Sequence, residues 1–115
     1  MTPEHLFGQL LVAMRAERRQ SQKALALDAR LDQSHLAGIE RGRRAPPSKP
    51  VLDRLCSALR TDDAELNTLL RASALTKFAR ELKGDRDFVE AVVSFALRED
   101  PTIFRRASTS RAQRK

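Results

Sequence analysis

The sequence predicts an all-α fold: a five-helix unit followed by one or two further helices. Three observations lead there. Glycine is scarce, with four copies in 115 residues. No stretch alternates apolar and polar side chains for long enough to make a strand. Apolar residues instead recur at helical spacing between residues that start and stop helices. A chain of this length buries a core without staples. Its one cysteine, Cys56, leaves no disulfide framework, which fits a reducing cytoplasm.

The elements follow in order. The first helix is expected over residues 3–18, with Thr2 as cap, Pro3 in the first turn and Glu4 at the positive end of the dipole. Its apolar residues Leu6, Phe7, Leu10, Leu11 and Met14 share a face. A second helix is expected over residues 21–29, starting at Ser21. A third is expected over residues 32–41, capped by Asp32 and ended by Gly42. The run Arg43-Arg44-Ala45-Pro46-Pro47 does not continue it. Ser48 caps a fourth helix reaching Leu59. Asp62 caps a fifth, with Glu65 in capping-box register.

A change of phase follows. Leu66, Leu69 and Leu70 cluster on one side of a helix, and Leu75, Phe78, Ala79 and Leu82 on nearly the opposite side. Either the chain breaks near residues 73–76, or a continuous helix hands its apolar face to another partner. A boundary is placed there, giving residues 1–74 as one domain and 75–100 as a C-terminal helical segment. Asp85 or Asp87 starts a last helix ending near Asp100, before Pro101. Residues 101–115 form a basic tail, expected to be disordered.

The formal charge is +7, which points to polyanionic partners. Residues 1–60 carry 11 basic and 6 acidic groups, residues 61–100 carry 6 and 9, and residues 101–115 carry 5 and none. The positive charge thus sits on the first four helices and the tail. Phe is the sole aromatic type, which disfavours a base-stacking single-strand binder. No apolar run spans a bilayer, and the start lacks the basic n-region of a signal peptide. Two histidines thirty residues apart and one cysteine offer no zinc spacing. No phosphate loop and no nucleophile elbow is present, so no enzyme and no cofactor is expected.

Residues 22–41 are the informative part. Leu25, Ala29, Leu31, Leu36 and Ile39 fall on inward positions, and Ala26 is small where two crossing helices touch. This is a helix-turn-helix pattern, whose second helix enters the major groove. The chain here resembles the Xre/Cro class of lambda-repressor-like regulators. The matching residues are Leu10, Arg15, Ser21-Gln22, Leu25-Ala26, Leu36, Ile39-Glu40-Arg41-Gly42-Arg43, Pro46 or Pro47, Leu55-Cys56-Ser57-Ala58-Leu59 and Leu66. The resemblance implies a five-helix DNA-binding domain and an internal Arg15–Glu40 salt bridge. Arg19 and Arg30 occupy turn positions where the family often has glycine, so each is expected to be left-handed. Gln20 stands where the family usually has an apolar residue.

The third helix has a small, polar outer face. At about 100° per residue, Gln33, Ala37, Arg41, Ser34 and Gly38 lie within roughly 140° of one another. Gln33, Ser34, Ala37 and Gly38 are the expected base-reading residues: an amide suits adenine, a hydroxyl suits base or phosphate, and short side chains let the helix sit deep. Gln22, Lys23, Arg41, Arg43, Arg44 and Lys49 are the expected phosphate contacts.

The last helix is apolar over most of its circumference, in Phe88-Val89-Glu90-Ala91-Val92-Val93-Ser94-Phe95-Ala96-Leu97. It needs a second surface, and a homodimer through Phe88, Val92 and Phe95 is expected; the alternative is a central helix covered on all sides within a monomer. The expected function is a cytoplasmic, sequence-specific double-stranded-DNA-binding regulator, a bacterial, phage or plasmid repressor on a palindromic operator. Alternatives are a DNA-binding antitoxin, a restriction-modification controller, or a protein-interaction module that uses this fold without reading bases.

Overall fold

The structure is a computed structural model and describes residues 2–102. A 3-10 turn at Pro3–His5 leads into α1 (Leu6–Glu17), followed by α2 (Gln22–Asp28), α3 (Gln33–Glu40), α4 (Lys49–Leu59), α5 (Asp63–Glu81) and α6 (Arg86–Glu99). Among the described residues there is no strand. Residues 103–115 of the basic tail, and the disorder expected of them, lie outside the described residues.

The main core is built from one face each of α1 to α5. Leu6, Phe7, Leu10, Leu11 and Met14 of α1 meet Leu25 of α2, Leu36 and Ile39 of α3, Leu52, Leu55 and Leu59 of α4, and Leu69 of α5. Cys56 is buried there, and burial holds its thiol above its ordinary pKa. Gly8 sets the approach of α1 to α3. A Cβ at this position would stand 2.5 Å from the Ile39 carbonyl oxygen.

Helix starts are satisfied in two ways. Ser21, Asp62 and Asp85 accept from the backbone N–H of Ala24, Glu65 and Phe88, and Asp62 with Glu65 closes a capping box. Thr2 and Ser48 occupy cap positions with extended backbone, but their side chains make no cap bond. At Asp32 the carboxylate takes the Ser34 hydroxyl, with the His35 amide nearby but outside cap-bond geometry. At the N-terminus a tertiary partner does the work instead. The Phe7 N–H donates to Thr76 Oγ1 at 3.1 Å, and that hydroxyl donates to the Pro3 carbonyl at 3.3 Å.

Three helix ends share an unusual device. Arg19, Arg30 and Arg60 take φ of 50°, 53° and 56°. Each sits in a Schellman-type turn: Gln20 N–H bonds Arg15 O at 3.0 Å, Leu31 N–H bonds Ala26 O at 2.8 Å, and Thr61 N–H bonds Cys56 O at 3.1 Å. The left-handed backbone costs about 1–2 kcal/mol at a non-glycine residue.

α5 runs unbroken through residues 73–76, so the placed boundary falls inside a helix. Its buried residues are Thr68, Leu69, Ala72, Ser73, Thr76 and Ala79, one straight stripe that includes three hydroxyl side chains. The phase change in large apolar residues is real, but small and hydroxylated residues carry the close contact with α1 and the 3-10 turn. Thr68 Oγ1 donates back to Ala64 O at 2.9 Å, so its hydroxyl is satisfied. Leu75 belongs to both apolar clusters, and Ala79 with Val89 and Val93 makes the second, small core beneath α6.

Candidate nucleic-acid interface

α2 and α3 are tied by a chain of polar side chains that starts in the interior. Glu40, 4% exposed, receives Arg15 through two bonds: Nε to Oε2 at 2.7 Å and a terminal nitrogen to Oε1 at 2.9 Å. The same Oε1 accepts from Gln22 Nε2 at 2.8 Å. Gln33 Nε2 in turn donates to Gln22 Oε1 at 3.3 Å. Gln22 thus has its carbonyl oxygen and one N–H engaged inside the protein. Gln33 is exposed and keeps its carbonyl oxygen and one N–H free, the pair needed for a two-point contact with adenine.

The rest of the outward face of α3 forms a cleft of about 370 Å³ lined by Ser34, Ala37, Gly38, Arg41, Arg43 and Arg44. The structure therefore gathers three of the four expected base readers with three expected phosphate contacts. Arg41, Arg43 and Arg44 are exposed and make no ion pair among the described residues. Unpaired guanidinium groups beside a shallow helix face leave their charge for an outside anion. Ser34 donates its hydroxyl to the Asp32 carboxylate, and this bond, with the His35 backbone amide, holds Asp32 below the ordinary carboxylate range.

Two glycines shape the turn after α3. A Cβ on Gly38 would stand 3.0 Å from Cγ and Cδ of Arg44, so the absent side chain leaves room for the arginine stem. The Gly38 carbonyl accepts from the N–H groups of Arg43 and Arg44 at 2.9 and 3.1 Å. Gly42 is left-handed, with φ of 77°, and a Cβ there would strike the His5 ring. Its carbonyl accepts from an Arg80 guanidinium nitrogen at 3.1 Å. The 3-10 turn and α5 therefore hold the loop that carries the arginines.

Three expected phosphate contacts lie outside this cleft, and one of them, Gln22, has its amide engaged with Glu40 and Gln33 as described. Lys49 opens α4 and pairs with Asp53 at 3.0 Å, an exposed pair of small energetic weight. Lys23 is exposed on α2. The expected dimer residues Phe88 and Phe95 are 51% and 58% exposed, and Val92 is half-buried between them in sequence. The Phe88 ring lies 5.9 Å from that of Phe78, and the Arg98 guanidinium lies 6.0 Å from the Phe95 ring centre. Among the described residues no three His, Cys, Asp or Glu side chains gather as a metal site, and no helix is long and apolar enough to cross a membrane.

Sequence reasoning missed the left-handed Arg60 and the Gln22–Gln33 bond. The first had a signal: only Arg60 and Thr61 separate Leu59 from the capping Asp62, and so short a joint asks for a left-handed residue. The second depends on side-chain orientation between two helices, which spacing alone does not carry.

Comparison with known proteins agrees with this geometry. The helix-turn-helix domain family matches residues 6–69, more than half of the chain. A solved structure, the restriction-modification controller protein C.AhdI from Aeromonas hydrophila, is similar at 35% identity and a TM-score of 0.51. The similarity covers 57% of this chain and 98% of that one. No curated protein matches. The second half of α5 and all of α6 lie beyond the residues matched by the family. The paired helices, the exposed polar face of α3 and these matches make the chain a member of the helix-turn-helix domain family, a DNA-binding transcriptional regulator.

Proposed function

We propose that the protein is a homodimeric repressor that reads a palindromic operator with α3. The cleft that unites Ser34, Ala37 and Gly38 with unpaired Arg41, Arg43 and Arg44, beside exposed Gln33, is the observation that carries this reading. Gln33 and Ser34 read base edges while Ala37 and Gly38 let the helix sit deep. The arginines, with Gln22, Lys23 and Lys49, grip phosphates. No catalytic step is assigned, and the site of action is the bacterial cytoplasm. Residues 1–74 bind DNA, and residues 75–100 join two copies through Phe88, Val92 and Phe95. A two-fold dimer places two recognition helices about one helical turn, or a multiple, apart.

The likeness to C.AhdI favours a second reading within the same class, a controller of restriction-modification genes. Selection of bound sequences from a random duplex pool tests the proposal. Enrichment of an inverted repeat supports it. Binding without sequence preference contradicts it and favours an interaction module.

A further inference from the structure

We propose that a second cleft, between the α1–α2 turn and the end of α4, binds a small phosphate ester through Arg19 and Arg60. This cleft measures about 660 Å³, larger than the one on α3 and within the range of small-molecule sites. Arg18, Arg19, Ser21, Asp28, Leu59 and Arg60 are among its lining residues. Arg18 is fully engaged: it holds both Glu65 oxygens, at 2.7 and 2.8 Å, and the Leu59 carbonyl. It builds the floor by joining α1 to α4 and α5. Arg19 and Arg60 are exposed, with no ion pair or side-chain hydrogen bond among the described residues.

Both of these arginines are also left-handed. Glycine is the ordinary occupant of such positions and carries no steric penalty there. The chain therefore keeps a strained, unpaired guanidinium on two separate turns around one cleft. The negative ends of α1 and α4 favour nearby cations, but a cation in the last helical turn would serve that purpose without strain. Arg30 has the same backbone away from the cleft, so two free guanidinium groups around one cavity, rather than the strain itself, mark the site.

The occupant follows from charge and direction. Forked guanidinium groups match the oxygens of phosphate. Asp28 stands in the same cleft and accepts from Gln20 Nε2 at 3.2 Å, so part of its charge is already met within the protein and the arginines face the phosphate. Ser21, Ala24 and Asp28 line this cleft, whereas Gln22 turns to α3. At about 100° per residue, Gln22 stands between about 100° and 160° from these three residues around α2. A duplex lying along α3 would meet a different side of α2, which leaves the cleft to a small ligand.

Thermal melts of the full chain with pyrophosphate test this without any DNA, so the result stands apart from the operator reading. The wild type should gain roughly 5 °C in Tm at saturating pyrophosphate, beyond sodium chloride of equal ionic strength. Arg19→Gly/Arg60→Gly should melt no lower than wild type without ligand and lose that gain. Arg19→Lys/Arg60→Lys should keep part of it. An equal response to plain salt, an unchanged response in the glycine variant, or a lower ligand-free Tm in that variant would each overturn the site. In a second arm, NMR shifts induced by pyrophosphate should persist when random duplex is added. Displacement by the duplex would assign the cleft to the DNA backbone and overturn the small-ligand reading.

Discussion

Gln22 Nε2 donates to Glu40 Oε1 at 2.8 Å, and through that bond a buried carboxylate fixes the amide against which Gln33 rests. Gln22→Ala removes a neutral partner, so stability should fall by only about 1 kcal/mol. Preference at the base read by Gln33 should flatten, because Gln33 loses its lateral support. Glu40→Ala leaves Arg15, whose side chain is 17% exposed, without its partner. That change should cost about 3 kcal/mol or more. Urea unfolding of the two variants checks the difference; equal losses would show that Gln22 is part of the structural pair.

Gly8→Ala should destabilise by about 2 kcal/mol, as overpacking does in a tight core. The new methyl meets the carbonyl groups of Ile39 and Glu40, which are backbone and give little. Thermal melting checks it. A Tm equal to wild type would mean that α1 and α3 are farther apart than described.

Asp32 provides a pH signature. Its folded pKa lies below the ordinary value near 3.8 because of the Ser34 hydroxyl and the His35 amide. A depressed carboxylate stabilises the fold above its unfolded pKa, and the contribution is lost as pH falls through the folded pKa. Asp32→Asn should therefore show a shallower loss of stability below about pH 4 than wild type. Ser34→Ala should raise the carboxyl midpoint seen by NMR; an unmoved midpoint would remove Ser34 as the cause.

Phe88→Asp/Phe95→Asp should give a monomer that keeps most of its helicity, because both rings are about half exposed while Val89 and Val93 form the packed side. A palindromic duplex should bind this variant far more weakly. Wild type that sediments as a monomer at tens of micromolar, with full operator binding, would contradict the dimer.

Much of this was legible from local chemistry. Arg19 and Arg30 were readable as left-handed because they stand where the resembled family often has glycine. The capping box of Asp62 and Glu65 and the outward face of α3 follow from spacing alone. The stripe on α5 was not legible, because Thr68, Ser73 and Thr76 read as polar until their partners are known. Thr76 is buried through bonds to Pro3 and Phe7, some seventy residues away in sequence. Thr2, Asp32 and Ser48 are good cap residues by type, yet a cap bond depends on a rotamer that the sequence does not set.

The central claim is a division of labour on α3 and its following loop, and salt titration on the selected operator tests it most directly. Gln33→Ala should cost about 1–3 kcal/mol on the preferred site and flatten preference at one position, with the salt slope unchanged. Arg43→Ala should weaken all sequences alike and lower the slope of log affinity against log salt by roughly 0.9. The same pattern from both substitutions would contradict the account.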